Sequence, residues 1–300
     1  MRRGQMLEDR DVSYFHKGIT PQTTESSLLI SSSKYLNSPV IRDWLTSHYL
    51  RRNGQDQPVP PDTTLGLSQE LMKIRDPIRL QALIDREKEI NPKFKAWVEE
   101  RYLPSMTKED FAKYPANSLG GIFHSYLVKY GYEVNFGRAV KLPCSDFEFI
   151  FQRFGLTHDF EHLITGGGFN SLGELLPYFV RMSNTYQHMS AELAKELTEL
   201  YVFGGFRMVM RAGLHYPTSW LTTLDLMQRG IKIGLTSESI LMARYEDALH
   251  LPLPEAREML GVRNAEDVDS WHDDEVFIEQ RQPTLDELTR IGRPDLANPA

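Results

Sequence analysis

The chain has 300 residues, 41% of them hydrophobic and 25% charged, which is long enough and apolar enough to bury a globular core. Its net charge is 34 − 41 = −7, and residues 264–280 account for all of it because they hold seven acids and no Lys or Arg. The near-neutral remainder argues against a nucleic-acid-binding protein, and a single cysteine, Cys144, excludes an intrachain disulfide.

Residues 1–64 are expected to form a partly ordered N-terminal extension that ends in a linker. Within it, Pro39 opens a predicted helix whose apolar face includes Ile41 and Trp44. Three prolines within residues 53–64 mark the linker.

Residues 65–263 are expected to form one helical domain. Pro77 should split its first apolar stretch into two helices. Further along, Ser145 and Glu148 have the capping-box pattern that opens a helix, and the glycines at 166–168 should end that helix.

The second half of this domain continues the helical pattern. A helix should begin at Glu174, and the apolar spacing predicts a long one over residues 185–213. Another helix is predicted over residues 218–234, and shorter ones are predicted near residues 237–249 and 254–260. No alternating strand pattern competes with these, so we expect an all-α fold, a multi-helix bundle. Residues 264–300 are expected to be an acidic C-terminal extension with a second capping box at residues 284–287.

The sequence HDFEHLITGGGFNSLGE has the spacing of a metal site between two consecutive helices. His158 and His162 are one helical turn apart and should face one ion together. Asp159 could bind the ion directly or orient a histidine. The three glycines let the chain reverse and bring Glu174 to the pair. Two nitrogens and one or two carboxylate oxygens suit one divalent ion, Zn²⁺, Fe²⁺ or Mn²⁺, without choosing among them.

Two other interpretations of this motif are weaker. The histidines could be solvated residues of an amphipathic helix, but Phe154 and Phe160 belong to a surround that is too apolar for an idle surface. The motif also resembles the H-E-x-x-H of zinc peptidases, in which the second residue is the general base. Here that residue is Asp159, one methylene shorter, so we do not favour a peptidase.

This motif and its flanks resemble the coenzyme Q biosynthesis protein 4 family. The family pattern is His-Asp-x-x-His, eleven residues and then Glu, which His158, Asp159, His162 and Glu174 match without gaps. The resemblance covers residues 70–262, and similar flanking segments occur in the family's order: Tyr114 to Gly121, Gln152-Arg153-Phe154 and Arg244 to Val262.

The resemblance implies an α-helical, dimeric protein of ubiquinone biosynthesis that lies on a membrane surface. It implies binding of a polyprenylated quinone precursor, an isoprenoid lipid, and contact with the other ubiquinone-biosynthesis enzymes. The implied activity is oxidative decarboxylation at C1 of the head-group ring, and zinc is the family's usual metal, although a redox-active ion would suit that chemistry better. A non-catalytic lipid-binding scaffold is the alternative, and the catalytic residues stay unassigned. The implied location is the cytoplasmic face of a bacterial inner membrane, or the matrix side in mitochondria.

Two further features bear on the substrate. Arg153 precedes His158 by five residues, so its guanidinium could bind a carboxylate or phosphate beside the metal, or form a surface salt bridge instead. Gly204 and Gly205 lie inside an apolar helical stretch that could line a lipid tunnel or form plain core. Glycines there cost helix stability, which predicts a close helix approach or a ligand against the backbone.

Overall fold

The computed structural model describes residues 30–49, 63–130, 143–170 and 172–268. These ranges form α-helices and short 3₁₀ turns with no strand, which confirms the predicted all-α fold. The predictions for residues 1–24 and 284–287, and most of the linker, lie outside the described residues. The helices are α1 (Pro39–Tyr49), α2 (Thr63–Ile74), α3 (Pro77–Ile90), α4 (Pro92–Glu100), α5 (Lys108–Phe111), α6 (Leu119–Tyr130), α7 (Asp146–Thr165), α8 (Leu175–His188), α9 (Ala191–His215), α10 (Trp220–Thr236), α11 (Tyr245–Ala248) and α12 (Leu253–Met259).

The helix starts follow local signals in the sequence. Pro77 separates α2 from α3 as predicted, and the Asp76 side chain caps α3 by accepting two backbone N–H groups of its first turn. Helix α5 begins with a capping box in which Thr107 and Asp110 satisfy each other's backbone N–H groups. These starts depend on residues within one turn of the helix, so they require no distant partner.

The predicted single helix over residues 185–213 is wrong at its start, because a break divides its first residues from the rest. Helix α8 ends at His188, and α9 begins only after the break at Ser190. Distant partners take up the backbone groups of this break. The Asn91 amide donates to the His188 carbonyl at 3.0 Å, and the Ser190 N–H donates to the Glu87 carboxylate at 2.9 Å. Apolar spacing could not reveal a break that these tertiary hydrogen bonds stabilise.

Helix α8 lies at the centre of the domain, packed against α7, α9 and α10. Two glycines of α10 allow this helix to approach α8 closely. A methyl group on Gly230 would lie 2.8 Å from Cβ of Phe179, and one on Gly234 would lie 2.7 Å from the carbonyl oxygen of Val180. The start of this buried helix carries Glu174, so its packing also fixes one residue of the predicted site. Most of α8 is buried: Leu175, Leu176, Pro177, Phe179, Val180, Arg181, Met182, Asn184 and Thr185.

A second, smaller core attaches the N-terminal part of the chain to α9. Tyr35 and Ile41 come from one side of the linker, and Leu67 and Leu71 of α2 come from the other. Partly buried residues of α9, Leu200 and Phe203, pack against this core. The residues on both sides of the linker therefore share one hydrophobic cluster on the outer face of α9.

The first residues of the acidic segment cover the C-terminal end of α7. The Val268 N–H donates to the Gly166 carbonyl at 3.0 Å, and the Val268 side chain packs against the main core. Arg257 of α12 also donates to the Leu163 and Ile164 carbonyls, at 2.9 and 3.0 Å. Two ion pairs join the segment to the domain: Glu266–Arg229 and Asp267–Arg257.

Helix α9 exposes an apolar row on one of its faces. Its members recur every four residues, so they lie along one line of the helix. They are Val202, Phe206, Met210 and Leu214, each between 38% and 58% exposed. Among the described residues, no helix is long and apolar enough to cross a membrane.

Candidate metal centre

Helix α7 places two histidines near its C-terminal end. Its predicted capping box is confirmed: the Ser145 hydroxyl accepts the Glu148 N–H at 3.2 Å, and the Glu148 carboxylate accepts the Ser145 N–H at 2.7 Å. His158 and His162 lie one turn apart, with ring centroids 5.0 Å apart. The His162 side chain is 1% exposed and that of His158 is 26% exposed, so the pair is reached from solvent on the His158 side.

The glycine-rich loop after α7 turns back on itself and delivers Glu174. Gly166 ends the helix with a φ of 88°, the left-handed conformation that favours glycine. A methyl group on Gly173 would lie 1.9 Å from the carbonyl oxygen of Gly168, so no larger residue fits there. The Asn170 side chain accepts the Gly173 N–H at 2.8 Å and closes the turn. Glu174 follows directly, at the N-cap position of α8.

These elements bring three ligand-type side chains together. The distance from His158 Nε2 to Glu174 Oε2 is 3.2 Å, and that from His162 Nε2 to Glu174 Oε1 is 3.4 Å. One ligand atom from each residue lies within 4.8 Å of the other two. Within the described ranges, this is the one group of three or more His, Cys, Asp or Glu residues with that geometry.

Neighbouring groups orient both imidazoles. His162 Nδ1 lies 3.0 Å from the Gly168 carbonyl oxygen, to which it donates, so its Nε2 is the ring nitrogen that faces Glu174. The Phe169 ring stacks on His162 with a centroid distance of 4.8 Å. On the other side, Tyr178 stacks on His158 at 6.2 Å. The loop and α8 therefore hold the two rings in a fixed orientation.

The opposite charges in this cluster stabilise one another. Burial by itself would lower the pKa of His158, but the adjacent Glu174 carboxylate outweighs it and raises that pKa above its ordinary value. Burial would likewise raise the pKa of Glu174, but the charges of His162 and His158 hold it well below its usual range. Glu174 is therefore ionised at neutral pH and is ready to bind a cation.

The cluster has the chemistry that a divalent metal ion requires. Two imidazole nitrogens and a carboxylate are a common ligand set for such ions. Glu174 Oε2 is buried and has no hydrogen-bond partner, although His158 Nε2 lies 3.2 Å away. A buried carboxylate oxygen in that situation is costly unless a cation satisfies it. The residues that are present therefore fit an ion placed between His158, His162 and Glu174.

The sequence profile described as "Coenzyme Q (ubiquinone) biosynthesis protein Coq4" matches residues 97–266, more than half of the chain. The chain belongs to the Coq4 family. This confirms the predicted resemblance and assigns the protein to ubiquinone biosynthesis. All three residues of the cluster lie within the matched range.

One solved structure shows the same fold as this Coq4 family member. It is the 2.85 Å crystal structure of a candidate ubiquinone biosynthesis protein from Nostoc punctiforme PCC 73102, with a TM-score of 0.55 and 20% sequence identity. The match covers 78% of this chain and 100% of the other. No curated protein matches the chain.

Two predicted site residues of the Coq4 motif lie outside the cluster of three. Asp159 is half-buried next to His158 and is not one of the three converging ligands. Arg153 is 1% exposed, and its guanidinium donates to the Glu246 carboxylate at 2.7 Å and to the Ala243 carbonyl at 3.1 Å. Its ion pair is therefore buried, and it joins α7 to α11.

Sequence reasoning missed the polar residues that lie beside the cluster. Glu161 sits between the two histidines in the motif, and its carboxylate accepts hydrogen bonds from the Arg181 guanidinium of α8. Arg181 also donates to the Tyr201 hydroxyl of α9. The weak signal was an arginine and a glutamate inside otherwise apolar helices, where buried charges need partners.

The glycine pair of α9 is explained by a close helix approach. A methyl group on Gly204 would lie 3.3 Å from the Tyr178 ring, and one on Gly205 would lie 3.2 Å from Cε of Met182. Both contacts are with α8. The pair thus lets α9 pack closely against Tyr178, whose ring stacks on His158. The packing of α9 therefore affects the surroundings of the site.

Proposed function

We propose that this Coq4 family member holds one divalent metal ion between α7 and α8, on His158, His162 and Glu174. The observation that carries the proposal is the convergence of their ligand atoms within 4.8 Å, together with the buried, unsatisfied Oε2 of Glu174. Asp159 would support the ion's charge from beside His158. Zn²⁺ is the ion we propose, and the same ligands accept Fe²⁺ or Mn²⁺.

The proposed ligand of this ion is the head group of a polyprenylated aromatic precursor of ubiquinone. Three protein ligands would leave the ion a position that could accept an anionic oxygen of the head group. The rings of Phe169 and Tyr178 flank the imidazoles and supply apolar walls. The exposed apolar row of α9 supports an isoprenoid tail and a membrane surface as its partners.

The proposed reaction is oxidative decarboxylation at C1 of the ring. The ring carboxyl leaves as CO₂, one atom of dioxygen stays on that carbon, and the other leaves as water with two electrons and two protons from a donor. When bound, the ion supplies Lewis-acid polarisation of the head group. His158, His162 and Glu174 hold the ion, while Phe169 and Tyr178 keep water from the outer faces of the imidazoles.

Elemental analysis tests the metal centre. We expect about one divalent ion per purified wild-type chain and little in His162→Ala, because the remaining ligands no longer enclose the ion. The matched control is His215→Ala, since His215 Nε2 lies 2.8 Å from the Tyr49 carbonyl oxygen, outside the cluster. Equal metal in wild type and His162→Ala would overturn the proposal.

Complementation distinguishes the enzyme from a non-catalytic, lipid-binding scaffold, the alternative that the exposed row of α9 favours. A cell without its own family member is given wild type, Glu174→Ala or His215→Ala. Loss of quinone in Glu174→Ala, while the other biosynthetic enzymes stay assembled, supports the enzyme. Quinone restored equally by all three would refute a metal-dependent role. Homodimer formation and binding to the other enzymes are proposed from the family alone.

A further inference from the structure

A buried ion pair joins the two helices that carry the metal ligands. Glu161 of α7 is 1% exposed and Arg181 of α8 is 4% exposed. The guanidinium meets the carboxylate with two hydrogen bonds: its Nη2 donates to Glu161 Oε1 at 2.7 Å, and its Nε donates to Oε2. We name this pair the α7–α8 clasp.

The clasp also contacts the part of α7 that presents His158. Arg181 Nη2 donates to the Phe154 carbonyl at 2.6 Å, and Phe154 is four residues before His158. That carbonyl is the one to which the backbone N–H of His158 donates in an α-helix. Arg181 also donates to the Thr157 hydroxyl at 3.1 Å, directly before His158 in the chain.

The position of Arg181 on α8 links the clasp to Glu174. Seven residues separate them, about two helical turns, so both side chains leave the same face of the chain toward α7. The clasp and the ligand cluster therefore lie on one seam between α7 and α8. Tyr201 of α9 closes the seam, since its hydroxyl accepts from Arg181 Nη1.

We infer that the α7–α8 clasp is a positioning device for the metal centre, which sets the separation of His158 and His162 from Glu174. Removing two charges from water offsets most of the attraction between them, so a buried ion pair is weak evidence for a contribution to stability. Its rigid, bidentate geometry does restrict how α7 and α8 can slide past each other. This inference rests on the proposed function.

A paired substitution tests the clasp without leaving one charge buried alone. In Glu161→Leu/Arg181→Met both charges are replaced by apolar groups of similar size, a change that proteins often tolerate. We expect the domain to keep its thermal unfolding temperature but to bind Zn²⁺ about 10–100-fold more weakly, as for lost partners of metal ligands. The visible spectrum of the Co²⁺-loaded variant should also change at full occupancy, because the ligand geometry differs.

The control is a second buried ion pair on the same helix. Arg153→Met/Glu246→Leu removes the pair between α7 and α11, whose Nη1–Oε1 distance is 2.7 Å. It should leave Zn²⁺ affinity and the Co²⁺ spectrum unchanged. Wild-type affinity in the clasp variant, or an equal loss in both double variants, would overturn the inference.

A crystal structure separates this inference from the metal proposal. If wild type binds no metal, the proposed metal centre is wrong, and the clasp is then judged in the metal-free clasp variant. There, the 3.2 Å separation of His158 Nε2 from Glu174 Oε2 should increase. An unchanged separation would overturn the positioning role.

Discussion

Substituting Gly234 with alanine should weaken the packing of α10 on α8. The added methyl group would lie 2.0 Å from Ser183 Oγ, 2.7 Å from the Val180 carbonyl oxygen and 2.9 Å from the Asn184 nitrogen. Ser183 can rotate away, but the other two atoms are backbone, so the helices must separate. Overpacking of this kind costs up to ~3 kcal/mol, and the higher helix propensity of alanine returns ~1 kcal/mol. We expect a net loss of about 2 kcal/mol.

Gly155→Ala is the matched control, because Gly155 is also helical and a methyl group there would have no neighbour within 4 Å. That variant should gain up to ~1 kcal/mol from helix propensity alone. Urea unfolding followed by circular dichroism measures both, provided that the slope of the transition is unchanged. Two variants of equal stability would refute the close approach of α8 and α10 described here.

Four further predictions concern the site and its supports. Zn²⁺ affinity should fall about tenfold per pH unit below the raised pKa of His158, measured by calorimetry, because a proton must leave before the ion binds. In metal-free protein, the His158–Glu174 pair should stabilise the fold most between pH 4.5 and 6.5, the ordinary pKa values of Glu and His. This stabilisation should be lost as pH rises through the pKa of His158 or falls through that of Glu174, and thermal melts across pH test it. Ser145→Ala should cost ~1 kcal/mol of unfolding free energy by removing the α7 cap. Deleting residues 264–300 should lower the melting temperature by ~3 °C, because Val268 no longer covers α7, and an unchanged temperature would contradict that contact.

The helices were largely predictable because their signals are local. Ser145 and Glu148 satisfy each other within one turn, and Gly166 ends α7 with a left-handed φ that glycine adopts readily. Such hydrogen bonds need no distant partner. The error at residues 185–213 has the opposite cause, since Asn91 and Glu87 stabilise the break between α8 and α9 from about a hundred positions away.

The partner of a buried charge was not predictable. Arg153 was expected to reach the metal side or to lie in a surface salt bridge, but it pairs with Glu246, 93 residues later in the chain. Glu161 stands inside the motif, and nothing in its spacing indicates Arg181 as its partner. A charged side chain in an apolar helix predicts that a partner exists, and only the packing of the helices selects which one.

The sequence by itself determined that this chain is helical, that it belongs to the Coq4 family, and that His158 and His162 share one helix face. A helical turn repeats every 3.6 residues whatever surrounds it, so that pairing follows from the numbering alone. Only the tertiary structure decided that Glu174 reaches both imidazoles and that Asp159 stays outside the group. Those distances depend on how the glycine loop folds and how closely α8 packs against α7, and both depend on contacts between residues far apart in the chain.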